Sequence, residues 1–477
     1  MIGAGEIPRF FSWPFWVTKN HWRYVLISAA AVAFSTAAGL EPPLRHLIIF
    51  ARAGTSFSAK QLCSGVLMAG MDPDRMLSED LAASKGLIQT KIDQAGGRVE
   101  ASALFGLVRA EAVQNDGHGC SQRINGRPIP QPPSQAAPVS KDPTATSEPW
   151  PLVATASPEP PAIDSKALSK ALNRAFREDD PLTPKRTRAV VVVQNGWVIA
   201  ERYASGIPPE MQLIGWSMSK SITHALIGLA IRDGHLDLKR APNVPEWSDP
   251  QDPRQDITLD QLLRMNSGLA FEESTGALNS DLVRMLTQEA DMAQFAASKR
   301  LAKTPGRKWR YSSGTTNILS RILRHAIDDD QRYWNFPSQQ LFRPLGMTTA
   351  VLETDNSGTL VGSSLVWASA RDWARFGQLY LDDGNWNGEQ LLPKNWVRHA
   401  RTATRGSKKG YGAHWWLSRR KSRHDLPNDS FSAEGYQGQL LLIAPSQQAV
   451  VVRLGQTPKK PGFDANDFGA DVLSALR

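Results

Sequence analysis

The chain has 477 residues, 41% apolar and 21% charged, a globular composition long enough for a large core. Its formal net charge of +9 is dispersed, and short runs such as Arg419-Arg420-Lys421 lack interleaved aromatics. This argues against a nucleic-acid partner. No Gly-rich phosphate loop or closely spaced histidine pair is present, so neither a cofactor nor a metal is implied.

In chain order, residues 1–40 read as a signal or membrane-anchor segment. Arg9, Lys19 and Arg23 precede an uncharged, mostly apolar stretch from Tyr24 to Leu40, and aromatics from Phe10 to Trp16 fit an interfacial belt. Small residues around Ala37-Ala38-Gly39 offer a cleavage site; the long lead ahead of the stretch favours an uncleaved anchor. A buried Ala-rich helix is the competing reading. The expectation is export to the periplasmic side of a bacterial inner membrane, released there if the segment is cleaved.

Residues 41–125 form an N-terminal region expected to be helical, from the spacing of Leu77, Leu81, Ile88 and Ile92 and of Leu104, Leu107 and Val108. It holds the only cysteines, Cys63 and Cys120. In an exported chain such a pair is a disulfide candidate, worth about 4 kcal/mol on the chain-entropy account; two buried thiols are the alternative. Residues 126–165 are rich in proline, serine, threonine and alanine and read as a linker over the surface of the main domain.

Residues 166–477 then read as the main domain. A helix near Lys166–Phe176 precedes two β-rich runs, Arg188–Gln194 and Trp197–Tyr203, joined by Asn195-Gly196, a strong hairpin signal. Helical patterning follows at 258–265 and 373–381; strands at 439–444 and 449–454 and a terminal helix from about Asn466 close the chain. The expected fold is α/β (α+β): an antiparallel sheet built from both ends of the domain, flanked by helices, with an inserted, mostly helical lobe. A cleft between lobes would hold the site.

Within this domain Ser217-Met218-Ser219-Lys220 opens an apolar run, Ala225–Ile231. If that run is helical, Ser217 and Lys220 share a face. Burial and the positive helix end both disfavour an ammonium, which would let Lys220 take the serine proton. A second Ser-x-x-Lys at Ser418–Lys421 lies in a basic, loop-like run with no helix to fix it.

Three ordered motifs make the domain resemble the serine β-lactamase and penicillin-binding-protein superfamily, in the branch of class C β-lactamases and 6-aminohexanoate-dimer hydrolases. They are Ser217–Lys220, Pro305-Gly306 through Tyr311-Ser312, and Ala433-Glu434-Gly435 in the place of the Lys-Thr-Gly strand. Leu262–Leu269, Pro344–Met347 and Ala370–Gly377 add to it. The resemblance implies a serine hydrolase acting on a small-molecule amide or ester: Ser217 as nucleophile, Lys220 and Tyr311 jointly as base, and Tyr311 as phenolate or proton relay. It implies an oxyanion hole from the backbone N–H groups of Ser217 and Tyr436.

Two departures bear on substrate. Ser313 replaces the usual asparagine, and Ala433 the cationic lysine, which disfavours a carboxylate-bearing substrate. Ser313, Glu434, Gly435 and Trp415 are the candidate substrate contacts, Glu434 as a group that repels anions or meets an amine. No counterpart of a deacylating glutamate is evident. The alternatives are a peptidoglycan-directed DD-peptidase or weak β-lactamase, and a non-catalytic binding or sensor protein on the same fold.

Overall fold

A computed structural model describes residues 41–476, apart from 116, 132–148, 278, 419–422 and 459–461. The segment 1–40 and Lys421 of the second Ser-x-x-Lys therefore lie outside the described residues. Among the described residues no helix is long and apolar enough to cross a membrane. The chain divides into Met1–Phe50 and a much larger unit, Ala51–Arg477, which holds the sheets and the site.

Helix α1 (Glu41–Leu62) runs into the larger unit and continues as a wider turn to Met68. The next segment departs from the helical expectation. Residues 89–123 form an antiparallel sheet of β1 (Gln89–Asp93), β2 (Arg98–Ala103), β3 (Val108–Asn115) and β4 (Gly119–Arg123), in that order. The physical reason is the period-two burial of β2, where Val99, Ala101 and Ala103 point inward and Arg98 and Glu100 outward. Leu104, Leu107 and Val108 mimic helical spacing because they belong to the hairpin tip and the strand after it. Cys63 and Cys120 are joined as a disulfide, tying the end of α1 to β4.

Among the described residues of the remainder, a seven-stranded antiparallel sheet has the order β11-β12-β13-β14-β6-β7-β5. Its strands are β5 (Trp150–Pro151), β6 (Thr187–Gln194), β7 (Trp197–Tyr203), β11 (Trp416–Leu417), β12 (Phe431–Gly435), β13 (Gln439–Ala444) and β14 (Ala449–Gly455). The β6–β7 turn has Asn195 at φ 51° and Gly196 at φ 81°, the two left-handed residues a tight hairpin of this twist requires. Leading into this sheet, the Pro-rich segment contributes the edge strand β5 and buries Leu152 and Val153.

Both faces of the sheet are covered, which explains the unbroken apolar run of β6. Val190 and Val192 pack with α2 (Ser165–Phe176) and α6 (Ala465–Ser474). Val191 and Val193 face the main core, which includes α3 (Ser219–Arg232), α4 (Ser313–Ile327) and α5 (Ala370–Leu381). A short sheet, β8 (Leu213–Ile214) with β10 (Val366–Ala368) and β9 (Val351–Leu352), delivers the chain to the start of α3.

Candidate active site

Ser217 lies in a 3-10 turn, Trp216–Met218, between β8 and α3. The turn is pinned from below: Gly215 N–H donates to the Val366 carbonyl (2.9 Å). Ser219 Oγ accepts from Val366 N–H (3.0 Å) and donates to the Trp216 carbonyl (2.6 Å). Trp216 takes φ 48°, a left-handed conformation that bulky residues rarely adopt. Its side chain is held on three sides. It stacks on Phe57 of α1 (6.1 Å, 5°), meets the Tyr436 ring edge-on (5.8 Å), and donates from Nε1 to Gln437 Oε1 (3.2 Å).

Lys220, on the first turn of α3, is fully buried. Its Nζ lies 3.1 Å from Ser217 Oγ, 2.9 Å from Ser313 Oγ and 2.9 Å from the Ser363 carbonyl. That carbonyl is delivered by a loop passing between α3 and α4. A Cβ at Gly362 would sit 2.2 Å from Thr223 Oγ1, so only glycine lets the loop through. Asn317 of α4 secures it, its Oδ1 accepting from Ser363 N–H (3.2 Å).

Glu273 has no distinguishing motif in the sequence, yet it completes this network. It accepts from Ser313 N–H (2.7 Å) and from Ser313 Oγ. Ser313 is the first residue of α4, so the carboxylate sits at a helix N-terminus, where negative charge is favoured. Ser313 is buried and holds the lysine through its hydroxyl, which makes it a member of the Lys220 network and corrects its assignment as a substrate contact. Glu273 comes from a loop forty residues earlier, and no spacing rule links the two.

Tyr311 is half-buried, with Lys220 Nζ 4.9 Å from its ring centroid. Burial raises its phenol well above the ordinary range, and the charges of Glu273 and Glu434 add to that, with the neighbouring Ser217 opposing. Of the two roles considered for it, phenolate and relay, the environment favours the protonated phenol. Lys220 moves the other way. Burial lowers its amine to about 8, with Glu273 opposing the shift.

Of the substrate candidates, Trp415 needs correction. It is fully buried against Phe376, Tyr380 and Phe431, and is a core residue. Its neighbour Trp416 stacks on Tyr311 instead (5.4 Å, 23°). Successive residues entering strand β11 point to opposite faces, so the adjacent tryptophans separate. His414 and Tyr411 are likewise buried.

Glu434 is already paired. Its Oε1 accepts from Arg423 Nη2 (2.9 Å) and Ser432 Oγ (2.8 Å), so its anionic character is partly neutralised. Ala433 points into the core. Gly435 brings the end of β12 against the nucleophile turn: a Cβ there would lie 2.2 Å from the Gly215 carbonyl oxygen. The backbone of Tyr436 follows directly, while its side chain is 48% exposed.

Known proteins share this fold. The Beta-lactamase family model matches residues 184–476. A 6-aminohexanoate-dimer hydrolase of Paenarthrobacter ureafaciens is 25% identical over 328 residues, covering 64% of this chain and 80% of the relative. Among solved structures, a Bacillus anthracis protein provisionally named a 6-aminohexanoate-dimer hydrolase aligns with TM-score 0.51 at 21% identity. The alignment covers 77% of this chain and 89% of that one. A family VIII carboxylesterase aligns with TM-score 0.53 at 12% identity, over 69% and 99% of the two chains.

Proposed function

Because the chain belongs to the beta-lactamase family, whose fold and hydrolase chemistry it shares, we propose that it cleaves a small-molecule amide or ester through an acyl-Ser217 intermediate. One observation carries the reading: the nucleophile lies 3.1 Å from a fully buried amine whose pKa burial lowers, and the Tyr311 ring stands 4.9 Å from the same amine. A degraded binding protein would have no need to keep a lysine amine desolvated.

The three partners of Lys220 suit a base. A neutral amine has two N–H donors and one lone pair. The Ser363 carbonyl can only accept, and Ser313 Oγ has its own proton committed to Glu273. Those two take the donors, and the lone pair is left for the Ser217 hydroxyl. Lys220 takes that proton as Ser217 Oγ bonds to the carbonyl carbon. Negative charge develops on the carbonyl oxygen, beside the N–H groups assigned to Ser217 and Tyr436. Tyr311 relays the proton to the leaving nitrogen or oxygen as its bond to carbon breaks. Water then adds to the acyl group, again giving a proton to Lys220, and Ser217 leaves reprotonated.

The substrate class is set by the third motif. With Ala433 in the core and Glu434 held by Arg423, no lysine from this motif awaits a carboxylate. Half-buried Trp416 extends an aromatic wall from Tyr311. Neutral acyl groups fit this best. The names of the relatives, an amide-dimer hydrolase and a carboxylesterase, set the classes to test. Export, with residues 1–40 as anchor on the periplasmic face, is part of the proposal, supported by the disulfide, which suits an oxidising compartment.

The test is a panel of p-nitrophenyl esters, short linear amides and penicillin, with Ser217→Ala as control. Turnover of neutral esters or amides above their carboxylate-bearing analogues, lost in the variant, is expected. A penicillin adduct without release would move the assignment to the peptidoglycan-directed branch. No turnover by the folded protein would contradict it.

A further inference from the structure

The N-terminal sheet ends in a feature that the hydrolytic site does not use. Between β2 and β3, Leu104, Phe105 and Gly106 take φ of 51°, 57° and 84°, three successive left-handed residues of which two are not glycine. This turn is braced by Arg109, whose Nε donates to the Gly106 carbonyl (3.0 Å). It turns Phe105 and Leu107 outward, 83% and 82% exposed. Leu87 lies at the same end, because Gln89 pairs with Ser102, and it is 58% exposed.

Three further observations say what covers this tip. First, charge: the residues nearest the tip, 81–90 and 101–110, carry Lys85 and Arg109 and no acidic residue, the nearest acid, Glu100, standing opposite Lys91 further along the sheet. Second, packing: a Cβ at Gly54 would lie 2.7 Å from Ile88 Cδ1, so Gly54 of α1 lies against the residue that leads into β1 at this end. Third, the chain ahead of Ala51 contains the uncharged, mostly apolar stretch 24–40. An apolar tip flanked by Lys85 and Arg109, in a chain whose sequence carries such a stretch, matches an anionic bilayer surface, into which apolar side chains insert while Lys and Arg meet headgroups.

We propose that the β2–β3 hairpin tip, through Phe105 and Leu107, is a lipid-contact surface that holds the enzyme against the membrane. It rests on the proposed membrane location, and the experiment reads the two separately. Cys63 and Cys120 are bonded to each other, so Phe105→Cys in the full-length chain supplies a single free thiol for an environment-sensitive fluorophore. Leu182→Cys, at a position 76% exposed on the loop between α2 and β6, is the control. Both proteins are mixed with phosphatidylcholine vesicles with and without phosphatidylglycerol, and co-flotation reports membrane association.

The expected result is a blue shift at position 105, quenched by acyl-chain spin labels, stronger with phosphatidylglycerol, and neither effect at 182. Flotation with an unresponsive probe at 105 overturns the hairpin contact and leaves the anchor standing. Neither flotation nor a response overturns both. A blue shift at 105 without lipid, rising with protein concentration, means that a second copy covers the tip and also overturns the proposal.

Discussion

At the scale of single residues, the chemistry rests on how Lys220 is kept neutral. Burial lowers its amine to about 8, below the ordinary lysine value, and the nearby Glu273 charge resists the shift. Catalysis needs the unprotonated amine, so kcat/KM of a neutral ester should rise with pH through about 8 and then level. Removing the opposing charge should move the profile in a defined direction. In Glu273→Gln the midpoint should fall to lower pH, because desolvation then acts with less compensation. The plateau should also fall, because the amide holds Ser313, and through it Lys220, less firmly. A pH–rate series on both proteins checks the pair; an unmoved midpoint would remove Glu273 from the network.

At the scale of elements, two contacts align the nucleophile turn. Gly435 permits β12 to lie against the Gly215 carbonyl, so Gly435→Ala should push the strand end away and misplace the Tyr436 N–H. The expected loss is about 10²–10³ in kcat, the size of one oxyanion donor, with thermal unfolding little changed. Phe57→Ala removes the ring stacked on Trp216, and Phe57→Tyr restores it. Loss of kcat in the first and recovery in the second, measured on one ester, would establish α1 as support for the site.

These elements also show what sequence could and could not reveal. The hairpin at Asn195-Gly196, the strands 439–444 and 449–454 and the helix carrying Lys220 are local patterns, and they stand where periodicity and turn chemistry put them. Residues 89–123 misled because a tight apolar hairpin tip copies helical spacing over a few positions. Trp415 and Trp416 are adjacent in the sequence, and only the strand gives each its own face. Glu273 was hidden for a different reason. Its partnership with Ser313 is made across forty residues by tertiary packing, and an isolated glutamate carries no signal of it.

At the scale of the molecule, the N-terminal region is joined to the hydrolase core by buried polar contacts. Fully buried Glu353 pairs with Lys60 and accepts from Ser64 Oγ (2.7 Å), Cys120 N–H (2.7 Å) and Trp367 Nε1 (2.8 Å). Those donors come from α1 and its extension, from β4 and from β10, so one carboxylate ties three elements together. The disulfide beside it closes a 57-residue separation. Cys63→Ser/Cys120→Ser should therefore cost about 2–4 kcal/mol, on the scale seen for native bridges, and lower the unfolding temperature by several degrees. Calorimetry checks this, with equal unfolding of the wild type under reducing conditions as the internal control.

The acyl-Ser217 chemistry is tested most sharply by intact mass, followed by peptide mapping, after reaction with a fluorophosphonate. One adduct per chain is expected, located on Ser217, absent in Ser217→Ala and formed faster as pH rises through about 8. An adduct on another serine, or none on the folded protein, would contradict it.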